Sequence, residues 1–95
     1  MKNSFAALKI REEIGDKKGL AASYNNIAII YEHQKNYTEA LKNYYAALKI
    51  RQETGEQLYI GACYTNIGVI CENQGNYSEA LNNYFEALKI YEAVG

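Results

Sequence analysis

The sequence has no proline, one histidine, two cysteines and no excess of either charge, and each shortage closes off a class of protein. Without proline, no residue of the chain lacks the N–H that a helix interior needs. Ten Lys and Arg stand against eleven Asp and Glu, and Lys17-Lys18 is the only adjacent basic pair. A protein that holds a phosphate backbone needs clustered cations that release counterions, so no nucleic acid is expected as a partner. No apolar run approaches the roughly twenty residues that cross a bilayer, so no membrane is expected either. Met1-Lys2-Asn3 leads straight into patterned sequence where a signal peptide would carry an apolar stretch, which points to a cytoplasmic location. Cys63 and Cys71 fall eight residues apart in one helical pattern, about 12 Å along its axis. Bridged Cα atoms sit within about 7 Å, so the two do not form a disulfide. His33, beside Glu32, has no second His or Cys near it; the pair reads as a solvated helix face, and no metal or cofactor is expected.

What is present is repetition. A chain of 95 residues, 48% hydrophobic, makes one domain whose core hides roughly two-thirds of the surface the unfolded chain exposes. Gly15, Gly55 and Gly95 fall forty apart. Between them Tyr24-Asn25-Asn26-Ile27-Ala28 returns as Tyr64-Thr65-Asn66-Ile67-Gly68. Asn36-Tyr37-Thr38-Glu39-Ala40-Leu41 returns as Asn76-Tyr77-Ser78-Glu79-Ala80-Leu81, and Ala47-Leu48-Lys49-Ile50 as Ala87-Leu88-Lys89-Ile90. A third copy of that ending, Ala6 to Arg11, opens the chain, so Met1 stands partway into a repeat and the chain reads as a piece of a longer array. One domain over 1–95 is thus divided into a partial repeat (1–14) and two full ones (15–54 and 55–95).

Each unit holds two helical patterns. Leu20, Tyr24, Ile27 and Tyr31 line one side of a 3.6-residue helix, and Tyr37, Leu41, Tyr44 and Leu48 line another. Ala40 and Ala47 beside the second stripe let the two helices approach closely. Asn36 and Asn76 are good N-cap residues with Glu39 and Glu79 three positions on, the spacing of a capping box. Gly75 can take the left-handed conformation that ends a helix, whereas Lys35 in the same place costs about 1 kcal/mol if it takes it too. Gly15, Gly55 and Gly95 close the second helices. Five helices follow, near 3–14, 17–34, 37–54, 57–74 and 77–93. Short links make neighbours antiparallel, and a helix-turn-helix recurring at fixed period stacks with one concave and one convex side.

The run from Tyr64 to Ile70, followed by Gly75 to Leu88, resembles the tetratricopeptide repeat signature: an aromatic, an aliphatic and a Gly or Ala in the first helix, then Ala, aromatic and Ala in the second. The resemblance covers the whole chain and implies an all-α, right-handed superhelical stack, an α-solenoid of about five helices. The family's usual repeat is 34 residues. A forty-residue unit is similar to the extended repeats of kinesin light chains, cell-polarity adaptors and bacterial peptide-responsive regulators. Its surplus, at Gly15 to Leu20 and Gly55 to Ile60, is expected to lengthen the junction between units. The usual Pro after the second helix is missing, as a longer helix requires, and Cys71 replaces Tyr31, which makes the contact there smaller.

The family binds extended or helical peptides on the concave side, with first-helix residues that packing does not use. Here the resemblance makes those Asn25, Asn26, Ile29, Glu32 and His33 in one unit, and Thr65, Asn66, Val69, Glu72 and Asn73 in the next. An amide donates and accepts at once, so Asn26 and Asn66 form a ladder that suits a peptide main chain; the plainer reading is that they bond only within the array. Ile29 and Val69 stand where carboxylate-clamping members carry Asn, and no Lys lies along this groove, which disfavours a chaperone tail as ligand.

Other features take plain readings. Cys63 and Cys71 replace Ser23 and Tyr31 as space-fillers, not activated thiolates. Asn36-Tyr37-Thr38 and Asn76-Tyr77-Ser78 fit the glycosylation sequon, but capping accounts for both asparagines. Tyr24, Tyr44, Tyr64 and Tyr84 recur at core positions, while Tyr45, Tyr59 and Tyr91 are less clearly placed. No nucleophile, acid–base pair or metal cluster suggests an enzyme. The expected function is a scaffold that binds a protein or peptide. The alternative is a self-association module, because the last helix ends Leu88-Lys89-Ile90-Tyr91-Glu92-Ala93-Val94 without a polar cap and would mate with other copies.

Overall fold

The computed structural model describes residues 16–94. The expected helix over 3–14 and the stops at Gly15 and Gly95 lie outside the described residues. The other four helices form: α1 (Lys17–His33), α2 (Tyr37–Thr54), α3 (Gln57–Asn73) and α4 (Tyr77–Val94). Their bounds repeat at a spacing of forty and match the sequence-based ranges to within one residue. Each helix packs on the next along the chain, α1 on α2, α2 on α3 and α3 on α4.

The ends explain the sharp boundaries. In α1 the Lys35 N–H donates to the Glu32 carbonyl at 2.9 Å and the Asn36 N–H to that of Tyr31 at 2.9 Å, the paired bonds of a Schellman closure. Gly75 and Asn76 repeat them onto Glu72 and Cys71 in α3. Such a closure needs a left-handed residue, and Lys35 supplies it at φ 61° where the next unit has Gly75 at φ 79°. Lys35 is exposed, so Lys35→Gly relieves the strained backbone without emptying a core site. A stabilisation of about 0.5–1 kcal/mol is expected, read as a higher urea midpoint at unchanged slope.

Two sequence expectations fail in this region. Asn36 does not cap α2 with its side chain. Its N–H is committed to closing α1, so it is not there for Glu39 to accept and the capping box does not form. Glu39 takes the Lys42 ammonium at 3.3 Å. A side-chain cap does form on α1, where Asp16 Oδ1 accepts the Gly19 N–H at 2.9 Å. Nor does the surplus over a 34-residue unit lengthen the junction, which is only Gly55 and Glu56. Gly55 turns left-handed at φ 73°, and the Gln57–Ile60 stretch is already the first turn of α3. The surplus lengthens helices instead.

The core lies along the helix interfaces. Ile27, Ile67, Ile70 and Tyr44 are the largest side chains buried outright, with Ala21, Ala28, Ala40 and Ala47 among them. Small residues set the spacing, as their pattern suggests. A Cβ on Gly68 would stand 2.7 Å from the Tyr84 ring, and one on Gly61 2.9 Å from Tyr91, so α4 lies close against α3. Tyr24, Tyr64 and Tyr84 pack against this core, whereas Tyr45, Tyr59 and Tyr91 are exposed.

Candidate groove across the first helices

Ala22, Ala47 and Ala62 leave a gap where α1, α2 and α3 meet, a pocket of about 330 Å³. Its polar lining is Asn25 and Asn26 from α1, Asn66 and Tyr59 from α3, and Arg51 from α2. Residues 22, 25 and 26 share one face of α1, and residues 59, 62, 63 and 66 one face of α3, which is why first-helix spacing brings them together.

Arg51 organises the back wall. It is only 8% exposed. Its Nη1 donates to Glu56 Oε1 at 2.7 Å, and its guanidinium carbon lies 4.2 Å from the centre of the Tyr59 ring. Thr54 Oγ1 donates to the same Glu56 oxygen at 2.9 Å. The Arg51 and Thr54 hydrogen bonds hold the Glu56 carboxyl below the usual range. The pocket is thus amide-rich and close to neutral, with its cation already paired.

A second pocket of about 310 Å³ gathers Glu32, His33 and Asn73 with Lys35 and Tyr37. Of the ten residues expected along the groove, six therefore line these two pockets, while Ile29, Thr65, Val69 and Glu72 line neither. Thr65 Oγ1 donates back to the Gly61 carbonyl at 3.0 Å, within its own helix. Glu32 and Glu72 have a structural role that the groove reading passed over. Tyr44 OH donates to Glu32 at 2.7 Å and Tyr84 OH to Glu72 at 2.8 Å, tying the end of each first helix to the middle of its second. The signal was available, since Glu and Tyr recur twelve apart in both units.

Arg51 and Tyr59 were also missed as lining, although Arg51 stands four residues before the closing Gly55 and faces the helix beyond it. Burial pushes the Cys63 and Cys71 thiols up, away from the thiolate a nucleophile needs, and both are free and buried. Among the described residues no helix is long and apolar enough to cross a membrane.

A comparison with curated proteins found no match. The tetratricopeptide repeat model matches residues 19–93, nearly the whole of the two full units. Repeats of that type are in general protein–protein interaction modules, typically non-enzymatic. On that match, and with four helices repeating pairwise at a spacing of forty, the chain belongs to the tetratricopeptide repeat family.

Proposed function

We propose that the chain binds an extended segment of another protein across its first helices, with the segment's main chain read by amides. One observation carries this: Asn25, Asn26 and Asn66, from two different units, line one pocket with Arg51 and Tyr59. An amide can donate to a carbonyl and accept from an N–H of the same peptide, so amides on successive units suit a ligand of varied sequence. The lining carries little net charge because Glu56 takes the Arg51 cation. Such a groove favours a neutral peptide with apolar side chains, for which Ile29, 37% exposed, and Val69 offer contact.

The test is selection from a displayed library of short peptides, followed by titration of the best binder. Asn26→Ala with Asn66→Ala removes two amides from the groove, and at about 1 kcal/mol each the affinity is expected to fall roughly thirtyfold. The helical circular dichroism should not change. Equal enrichment by the parent and the double variant would remove the amide ladder from the account.

A second reading, self-association through the last helix, rests on a different observation. Leu88 is 50% exposed where Leu48, at the same repeat position, is 7% exposed.

A further inference from the structure

We infer that the pocket between α1, α2 and α3 takes one side chain of the bound segment, and that this side chain is a neutral carboxamide, glutamine or asparagine. This rests on the peptide-binding reading and names what one position of that peptide must be. The Arg51 side chain is only 10% exposed, yet its guanidinium uses Nη1 alone for a hydrogen bond among the described residues, to Glu56 Oε1. Nε and Nη2 are left over. No side-chain nitrogen of the described residues is both sealed from solvent and unpaired, so these N–H groups open onto the pocket that Arg51 lines. The rim has spare groups as well. Asn43 and Asn83 of the second helices donate to the Glu39 and Glu79 carbonyls at 2.8 Å, whereas no such bond among the described residues engages the side-chain amides of Asn25, Asn26 and Asn66.

Charge and hydrogen bonding together select the occupant. An apolar side chain would touch the methyl groups of Ala22, Ala47 and Ala62 and fill part of the 330 Å³, but it would strip water from the Arg51 donors and the amides without replacing it. A carboxylate would satisfy the donors. It would also be a second anion on a cation that Glu56 already neutralises at 2.7 Å, in a place where both are largely withdrawn from water. Lys18 acts on Glu56 but is exposed and does not line the pocket, and Lys17 is held by Glu53, so neither supplies the missing charge. A cationic side chain would meet Arg51 as a like charge. A carboxamide brings no charge; its oxygen accepts from Arg51, its NH2 donates to the asparagine oxygens, and its methylenes lie on the alanines. A main-chain amide offers the same groups but is alike at every residue, so only a side chain makes one position selective.

The test takes the best peptide from the displayed library and replaces each of its residues in turn with Gln, Glu and Met, the last close to Gln in size, titrating every peptide against the full chain. At one position Gln is expected to bind roughly ten- to hundredfold more tightly than Met, the difference that hydrogen bonds to a buried cation and to amides make, and more tightly than Glu. Glu56→Gln removes the anion and keeps its bulk, so it should reverse the order at that position, with Glu ahead of Gln and the helical circular dichroism unchanged. The peptide series on the parent decides the carboxamide whether or not that variant folds.

A library that yields no binder overturns the peptide-binding reading and this inference with it. A peptide that needs Asn26 and Asn66 yet binds equally with Gln, Glu or Met at every position overturns this inference alone, the pocket then holding main chain. Preference for Glu or Met in the parent overturns the neutral carboxamide. An order that a folded Glu56→Gln leaves unchanged overturns the assignment of that selectivity to the Arg51 pocket.

Discussion

Tyr44→Ala is expected to destabilise the array by about 3–5 kcal/mol, the cost of emptying a large aromatic site in a packed core. Tyr44 is 1% exposed, packs among Ala28, Ala40, Ala47 and Ile67, and donates its hydroxyl to Glu32. Burial first, and then the Glu32 hydrogen bond, raise its phenol well above the ordinary range. A chain of this length commands roughly 5–14 kcal/mol in all, so the single change removes a large share of it. Tyr44→Phe separates the two contributions: the ring stays and the bond goes, at about 1 kcal/mol. The repeat supplies an internal control, because Tyr84 makes the same bond to Glu72 from a half-buried site. Tyr84→Ala should cost about 2 kcal/mol, less than emptying a closed aromatic site, because its site is already partly open to water. Urea melts at concentrations low enough to keep the chain dispersed measure all three. Equal costs for Tyr44→Ala and Tyr84→Ala would mean that burial does not set the difference between the units.

How legible each feature was follows from where its cause lies. Helix bounds were readable to within a residue because the cause is local: a left-handed residue, Lys35, Gly55 or Gly75, stands where α1, α2 and α3 stop, and the period marks it. The missed side-chain cap shows the limit of that reasoning. Asn36 has the right identity for an N-cap, but its N–H already serves the α1 closure, which takes away the donor that a capping box would give Glu39. The placement of the surplus residues failed for a different reason. Counting against a 34-residue unit put Gln57–Ile60 in the link, although the helical range from 57 onward already contained them, and with Ile60 buried they pack as the first turn of α3. The lining of the larger pocket was half legible. The family resemblance put Asn25, Asn26 and Asn66 on one side, whereas Arg51 entered the pocket from a second helix, and a pattern of first-helix positions carries no information about that.

Arg51 is the residue whose loss should be felt in both stability and recognition. It stands where one unit meets the next, with its stem buried, its charge on Glu56 and its face on Tyr59. Arg51→Ala is expected to cost about 2 kcal/mol through lost packing and the ring contact. Its acid response should change as well. Glu56 titrates below its usual value in the folded chain, so the stability it contributes is present above the unfolded value of about 4.3 and is lost as pH falls through the folded one. Removing Arg51 returns Glu56 towards its unfolded value, so the melting temperature of the variant should fall less steeply below about pH 5 than that of the parent. Glu53, lowered by Lys17, retains its own share of the acid dependence in both proteins. Glu56→Gln should flatten the same part of the profile while leaving the Tyr59 contact in place. If Arg51→Ala keeps the parent slope, the ion pair is not the source of acid sensitivity, and the guanidinium acts at this junction through packing alone. If it flattens the slope and also weakens the selected peptide, one buried cation both joins the two units and shapes the wall their ligand meets.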